Sequence, residues 1–342
     1  ARGLPAVIDD QREVTRIIPA RAGFTRGRRG HHHPHPDHPR SRGVYSAADS
    51  SVALQTFPTV NMGTKTARLP VLATIPHADW VTEQSDNAAG TKPTSKATWA
   101  NKTLVAEEVA VIIPVHENVI DDATEDVLGE LTRIGGQSMG YALDAAVFFG
   151  TNKPATWTDP DLFAAATAGG NLTQVSTTDL KSDLMGAILQ NAGLVIGDGE
   201  FDPDALIARR SLRMQLANLR DAQGAPIYLP SLSAAPGAID QVAGLDAHWS
   251  RGTVKGDKPV FDSAKAVGLI VDSTAVRIGV RQDITVKFLD QATVNGINLA
   301  EKDMVALRFK ARYGYVIKNI VAQKNDAAVT KYPVGAVTPA AG

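Results

Sequence analysis

The sequence predicts an α+β fold from three observations. A single long helical period lies at 126–149, and alternating apolar and polar residues predict antiparallel strands at 284–288 and 304–317. Between these parts, short helices alternate with apolar strands, which indicates a mixed α/β domain. Apolar residues make up 44% and charged residues 21% of the 342 residues, which is typical of a soluble globular protein with a sizeable core.

The helix at 126–149 is the element around which we expect the fold to pack. Asp121 and Asp122 are its predicted N-caps, Glu125 follows Asp122 as in a capping box, and Gly150 is its predicted end. Four glycines each cost up to about 1 kcal/mol, so packing must hold the helix, and another backbone is expected to lie close to it. These are Gly129, Gly135, Gly136 and Gly140. The apolar stripe is Ile120, Val127, Leu131, Ile134, Ala142, Ala145 and Phe149.

Two strand-like segments, 67–83 and 96–115, flank a polar tip at 84–95 and predict a long β-hairpin. Trp80 and Trp99 lie at similar distances from the tip and are expected to pair across the strands. A two-stranded ribbon of this length is marginal alone in water, so it must lie on something. Either it packs on its own domain or it reaches onto a neighbouring copy of the chain.

The remaining predicted elements have clear apolar patterns. They are a helix at 178–192 capped by Thr178, a buried strand at 203–208, a short helix at 211–219, a strand with a polar loop at 227–249, and apolar strands at 266–271 and 275–280. The alternation at 284–288 and 304–317 predicts half-exposed strands that lie along the long helix.

The N-terminal segment differs in composition from the rest of the chain. Residues 1–43 hold nine Arg, no Lys, four acids and a histidine cluster at 31–38. The segment shows no convincing periodic spacing of apolar residues after Ile18. We interpret 1–49 as a basic, flexible segment rather than a domain. It is either a basic arm that contacts nucleic acid or binds a metal through its histidines, or a mobile arm, tag or mistranslated segment without such a role.

Residues suited to catalysis or cofactor binding are few. The chain has no cysteine, which excludes disulfides and thiolate sites, and it has no phosphate-binding loop or nucleophile elbow. The acids at 121–126 are better explained as helix caps than as a cation site, and His77, His116 and His248 lack metal-ligand spacing. No apolar run approaches the length of a membrane span. We therefore predict no enzyme, no catalytic residue, no metal, no cofactor and no membrane segment.

Five runs, in this order along the chain, carry a resemblance. They are VNMGTKTARLPVLA at 60–73, DWV at 79–81, WANKTLVAEE at 99–108, VIIPVHENVIDD at 111–122 and VRQDITVKFLD at 280–290. Together they resemble the major capsid proteins of tailed bacteriophages with the Hong Kong 97-type fold, and look closest to those of actinobacterial phages. The resemblance covers roughly residues 50–322 without large gaps.

The resemblance implies a division of the chain. It would have an N-terminal arm at 50–66, an extended β-hairpin loop at 67–108, a peripheral domain with a long spine helix at 109–177 and 281–325, an α/β axial domain at 178–280, and a C-terminal tail at 326–342. The implied inter-subunit contacts of the loop are Trp80, Glu83, Lys92, Lys96 and Trp99. The residues implied to pack the spine helix are Val127, Leu131, Ile134 and Phe149. Some relatives join subunits by a Lys-Asn isopeptide bond, for which Lys92 or Lys96 would be the donor.

The implied function is structural. Copies of the chain would form homo-hexamers and homo-pentamers of an icosahedral virion shell around double-stranded DNA, assembled in the host cytoplasm. A portal protein and a maturation protease are implied partners, and a decoration protein is a further candidate. Because residues 1–43 hold no long acidic coiled coil, scaffolding would come from a separate protein, or a scaffolding region would already have been removed from the chain. The alternative is an encapsulin-like nanocompartment shell, which would enclose cargo protein instead of DNA.

Overall fold

Residues 50–74, 98–122, 126–176, 183–197, 201–220, 241–324 and 327–340 are described by a computed structural model of the chain. The helices in this part are α1 (Val52–Thr56), α2 (Glu117–Asp121), α3 (Val127–Phe149), α4 (Leu162–Ala168), α5 (Leu184–Ile196) and α6 (Leu212–Ala217). The strands are β1 (Thr59–Asn61), β2 (Thr66–Thr74), β3 (Thr98–Val105), β4 (Glu107–His116), β5 (Leu172–Gln174), β6 (Ala205–Arg209), β7 (Gln241–Val242), β8 (Leu245–Ser250), β9 (Thr253–Val254), β10 (Lys258–Pro259), β11 (Gly268–Val271), β12 (Val276–Leu289), β13 (Thr293–Val294), β14 (Ile297–Asn298), β15 (Met304–Ile317), β16 (Ile320–Lys324), β17 (Ala327–Lys331) and β18 (Val334–Thr338).

Two larger sheets organise these elements. A four-stranded sheet has the order β1-β12-β15-β4, in which β15 is antiparallel to both of its neighbours. A six-stranded mixed sheet has the order β5-β18-β11-β6-β8-β7. The smaller antiparallel pairs are β2 with β3, β9 with β10, β13 with β14, and β16 with β17. This is the α+β fold that the sequence predicts.

Helix α3 packs on strands β15 and β4 and on α1, and one glycine allows the close approach to β15 and another the close approach to the start of α1. The ring of Phe309 lies over Gly135, where an added Cβ would come within 2.5 Å of a ring carbon. A Cβ on Gly140 would lie 3.1 Å from the backbone nitrogen of Ser51. The expectation that a glycine admits a second backbone against this helix is thus confirmed at Gly140.

The ends of α3 are set by Asp126 and Gly150. The Asp126 carboxylate accepts a hydrogen bond from the Gly129 N–H at 2.8 Å, and Gly150 adopts the left-handed conformation with φ 65°. The predicted stop at Gly150 is confirmed. The predicted caps Asp121 and Asp122 are wrong, because Asp121 ends the separate helix α2 and Asp122 is the C-terminal cap of that helix.

The segment 96–115 does not form one strand. β3 ends at Val105 and pairs with β2, whereas β4 begins at Glu107 and pairs with β15 in the four-stranded sheet. Ala106 between them is buried, and its N–H donates to the Lys65 carbonyl oxygen at 2.8 Å. The prediction of a single strand is wrong. The sequence favours extended structure on both sides of Ala106, so it gives no sign that the chain leaves the ribbon there and enters the four-stranded sheet.

Strand β15 has the predicted bounds of 304–317, and it lies along α3 as expected. Its predicted half-exposure is wrong over the second half, where Tyr313, Tyr315 and Ile317 are buried and their neighbours Gly314 and Val316 are buried too. Both faces are covered there because the base of the β2–β3 ribbon lies on the side opposite the main core. The strands predicted at 275–280 and 284–288 are one strand, β12, with register shifts at 280–282 and 282–285.

The six-stranded sheet and the helix α5 that packs on it each differ from the sequence prediction in one respect. Residues 334–338, within the segment interpreted as a tail, form β18, which lies between β5 and β11 with Val334, Ala336 and Val337 fully buried. The helix predicted at 178–192 begins at Leu184, because Asp183 caps it by accepting from the Gly186 N–H at 2.8 Å. Thr178 lies outside the described residues. The predicted strand at 203–208 and helix at 211–219 are confirmed as β6 and α6.

Candidate functional site

The base of the β2–β3 ribbon is fixed to the body of its own chain. Leu104 is fully buried in a cluster with Met62, Ala106 and Val316. It fits because the neighbouring strand positions are glycines: a Cβ on Gly314 would lie 3.0 Å from a Leu104 methyl carbon. The ribbon therefore starts from a packed, well-defined root.

A half-buried ion pair adds to this root. Lys102 Nζ donates to Asp159 Oδ1 at 2.9 Å and to the Ile317 carbonyl oxygen at 2.6 Å. The other carboxylate oxygen of Asp159 accepts from the Ile317 N–H at 3.1 Å, and Trp157 Nε1 donates to the Val105 carbonyl oxygen at 3.0 Å. Side-chain and backbone groups of the loop at 150–160 thus tie β3 to the end of β15.

The outer end of the ribbon is left open. Trp99 pairs with Leu72 across the strands and is 68% exposed, which is unusual for the largest apolar side chain. Beside it, Pro70, Val71 and Leu72 line a groove with residues of the body, including Phe201, Lys318 and Ile320. An exposed tryptophan on the outer part of the ribbon is a surface that burial elsewhere would stabilise.

The N-terminal end of the described chain, unlike the outer part of the ribbon, is fixed to the body by buried hydrogen bonds. Asp144, on α3, accepts hydrogen bonds from the Ser51 hydroxyl at 2.6 Å, the Val52 N–H at 2.8 Å and the Ala53 N–H at 2.9 Å. It thereby satisfies the free N–H groups at the start of α1. Burial raises the pKa of Asp144 to about 7, although its three donors oppose that shift.

The sequence analysis did not single out Asp144, Ser51, Lys102 or Asp159. For Asp144 a signal was present, because it is the one charged residue of the run from Tyr141 to Gly150. A charge in a buried helical stripe requires partners, and those partners lie more than 90 residues away in the chain. Only the folded chain identifies them.

The predicted contact residues have varied positions. Trp80, Glu83, Lys92 and Lys96 lie outside the described residues, so the Trp80–Trp99 pair and the loop contacts stay predictions. Phe149 is buried, with its ring edge-on to Phe261 at 5.1 Å between centroids, and Leu131 packs partly against the main core. Val127 is half-buried, and Ile134 is 43% exposed in the single chain. The role of these four residues in helix packing also stays a prediction.

The outward face of the four-stranded sheet carries an ionic cluster. Glu108 on β4 forms ion pairs with Lys310 at 2.6 Å and Arg312 at 3.1 Å on β15. The hydrogen bonds from Lys310 and Arg312 lower the pKa of Glu108 below its usual value. These residues alternate along their strands with the apolar residues that face α3.

Other ionisable groups do not assemble into a reactive site in the described residues. Asp126 caps α3, and burial lowers the pKa of His248. Within these residues no three His, Asp or Glu side chains are grouped so that they could hold a metal ion. None of the helices described there is long and apolar enough to span a membrane. The geometry instead shows a β2–β3 ribbon whose base is fixed to the body of the chain and whose outer part is incompletely covered.

Comparison with known proteins identifies relatives for most of the chain. The model of the phage capsid family matches residues 44–323. A solved structure from Mycobacterium phage Adephagia is 49% identical with a TM-score of 0.72, covering 86% of this chain and 91% of the other. One from Microbacterium phage Oxtober96 is 41% identical with a TM-score of 0.70, covering 90% and 96%. The capsid of a native gene transfer agent particle shares the fold at 15% identity and a TM-score of 0.58, covering 90% and 95%. No curated protein sequence matches the chain.

Proposed function

This chain belongs to the phage capsid family and is a structural, non-enzymatic major capsid protein of a phage shell, and from this we propose a role in assembly for each of its segments. Copies of the chain join as hexamers and pentamers, with 178–280 as an axial domain near each symmetry axis. Residues 109–177 and 281–325 form a peripheral domain around the spine helix α3. The buried strand β18 supports adding 334–338 to the axial sheet. The encapsulin alternative has no support in these matches.

The extended loop at 67–108 is the main inter-subunit element in this proposal. The single observation that carries it is the contrast within the ribbon: its root at Leu104 is fully buried, whereas Trp99 further out is 68% exposed. A neighbouring copy that covers the outer ribbon would bury this apolar surface, at roughly 25 cal/mol per Å² removed from water. Many copies joined in this way would stabilise one another.

The shell is proposed to enclose double-stranded DNA without sequence preference and to assemble in the host cytoplasm. A portal protein, a separate scaffolding protein and a maturation protease are its proposed partners, and a decoration protein is a further candidate. The arm at 50–66 is proposed to hold its chain to the spine helix, which the Asp144 contacts support. Covalent crosslinking through Lys92 or Lys96 would appear as bands above the monomer in denaturing electrophoresis of mature particles.

The test is to remove the outer loop without disturbing its root. Thr74 and Thr98 are paired across the ribbon, so an Asn-Gly turn can replace residues 75–97. We expect a folded monomer by circular dichroism, with unchanged unfolding, and no closed shells by electron microscopy. Shells at the wild-type yield would refute the role of the loop in assembly.

A further inference from the structure

One apolar strip on the four-stranded sheet is covered at one end and open at the other. Ile284, Val286 and Phe288 alternate along β12, so their side chains share one face of the sheet. Val286 lies opposite Phe309 and Phe288 opposite Leu307, and both of these partners belong to the core that α3 covers. The exposed fraction rises along the strip from 7% at Ile284 to 36% at Val286 and 48% at Phe288. The layer that covers this face therefore ends before Phe288.

The open part of the strip lies beside α3 rather than under it. Helix α3 packs on β15 and β4, and β12 is the other neighbour of β15, on the side where β1 follows. The start of α1 lies at one end of the resulting α3–β12 groove, where Val52 shares a buried cluster with Ile284. The α3–β12 groove is thus filled where α1 begins and open toward Phe288.

The described chain enters the filled end of this groove and runs along α3. Ser50 Oγ donates to the Gly136 carbonyl oxygen at 3.4 Å, and the next residues reach Asp144, about two helical turns further on. The same direction, continued backwards from Ser50, leads to the N-terminal half of α3. Leu128 lies there, about 12 Å from Gly136 at 1.5 Å per residue. Residues 44–49 would span about 20 Å when extended, which is long enough to reach it.

The open end of the groove contains a cavity of about 220 Å³. Its lining residues are Glu117, Ile120, Asp121, Leu128, Phe288 and Val305. An apolar cavity of about 150 Å³ can hold benzene, so this one has room for an aromatic ring. The exposed carboxylates of Glu117 and Asp121 add acceptors for a hydroxyl group. An apolar wall with acceptors beside it suits a tyrosine better than a phenylalanine or an anion.

Residues 44–49 carry a side chain that matches this cavity. Their sequence is VYSAAD, which places Tyr45 five residues before Ser50 and next to Val44. The match of the phage capsid family model begins at Val44, so this segment belongs with the body of the subunit rather than with the Arg-rich residues before it. A segment tethered at the groove loses less freedom on docking than a separate molecule does, which favours it over a second copy.

We propose that residues 44–49 continue along the α3–β12 groove and that the Tyr45 ring fills the cavity between Leu128 and Phe288. The tyrosine hydroxyl donates there to a carboxylate of the lining. The docked segment covers the open part of the strip, so this face is closed within the subunit. The inference rests on the proposed function of the arm at 50–66 and extends the anchored part of that arm toward the N-terminus.

The experiment uses the absence of cysteine from the chain, because every disulfide that forms is then an introduced one. In the full-length monomer, Tyr45→Cys/Phe288→Cys is expected to form an intramolecular disulfide at least ten-fold faster than Tyr45→Cys/Met214→Cys. The second cysteine of that control lies at a more exposed position, on α6. Non-reducing electrophoresis and thiol counts during mild oxidation measure both rates. Similar rates would overturn the proposal, and so would a disulfide-linked dimer as the main product, which would assign the groove to a second copy.

A double-mutant cycle tests the ring contact itself. Tyr45→Ala and Phe288→Ala are each expected to lower the melting temperature of the monomer by about 2–4 °C. Together they should lower it by little more than one alone, because both remove the same contact. Tyr45→Ala with Val329→Ala, a change at an exposed residue of β17, is the control and should give additive losses. Additive losses from Tyr45→Ala and Phe288→Ala would contradict the proposed contact.

Both measurements use the unassembled monomer, so they do not depend on shell formation. Phe288 is half-exposed, and its replacement is compatible with a folded chain. Should Asp144→Ala destabilise the monomer while the disulfide forms no faster than in the control, only this inference fails. The anchoring of the arm through Asp144 then stands.

Discussion

The start of the described chain and the β2–β3 ribbon both join the body of the molecule at one end, but they are held differently. The segment at 50–57 is tied down by Asp144 and lies in the space left by Gly140, with Ser51, Val52 and Ala53 all buried. The ribbon is equally fixed at its root, yet its outer part exposes Trp99. The difference separates contacts that stabilise the subunit from a surface available to its neighbours.

The largest effect on the subunit is expected from Asp144→Ala. Three buried donors would lose their acceptor, and each unsatisfied donor costs about 1–3 kcal/mol, so the free energy of unfolding should fall by about 3 kcal/mol or more. Urea unfolding of the dilute monomer measures this change. Asp246→Ala, which removes an exposed carboxylate, is the control and should change stability little. Equal losses from both variants would contradict the role of Asp144.

The pH dependence of the free energy of unfolding gives a second test of the role of Asp144 at the start of the described chain. Because burial raises the pKa of Asp144 to about 7, the folded chain binds a proton that the unfolded chain releases near pH 4. The stability contributed by this proton is complete below about pH 4 and is lost as the pH rises through 7, by at most about 1.4 kcal/mol per pH unit. Unfolding of wild type and Asp144→Asn from pH 4 to 8 should show this decline only in wild type. Parallel pH profiles would rule out the shift.

A smaller effect is expected at the root of the ribbon. Lys102→Met removes the partner of Asp159 in a half-buried ion pair and should lower the free energy of unfolding by about 2 kcal/mol. Lys65→Met breaks the exposed pair with Glu107 and should cost under about 0.5 kcal/mol. Thermal unfolding of both monomers gives the comparison. If the two losses are alike, the root is not held by Lys102.

The smallest effect on the subunit and a large effect on assembly are expected together from Trp99→Ala. The side chain is mostly exposed in the single chain, so monomer stability should change by less than about 0.5 kcal/mol. Shell yield should fall at least ten-fold, and further in Trp80→Ala/Trp99→Ala. Met214→Ala, at 63% exposure on α6, is the matched control. A destabilised monomer with normal shell yield would contradict the prediction, because Trp99 would then stabilise the subunit and not the contacts between subunits.

Local sequence patterns located most elements but not their connections. The period of α3, its stop at Gly150 and the bounds of β15 follow from side-chain spacing, which depends on neighbours in the chain. The break at Ala106 does not, because the residues on both sides favour extended structure and differ only in the strand with which they pair. Strand β18 was missed for a similar reason: a run of five small residues, VGAVT, becomes a strand when β5 and β11 flank it.

The sequence by itself determined the fold class, the long helix and the resemblance to a capsid family, because periodicity and local motifs are written in consecutive residues. Only the tertiary structure decided that Asp144 holds the start of α1, that Lys102 joins Asp159, and that Phe288 lies opposite Leu307. Each of these pairs depends on strand register or on contacts between distant segments. Such contacts arise from packing and the pairing of buried polar groups, and no local pattern encodes them.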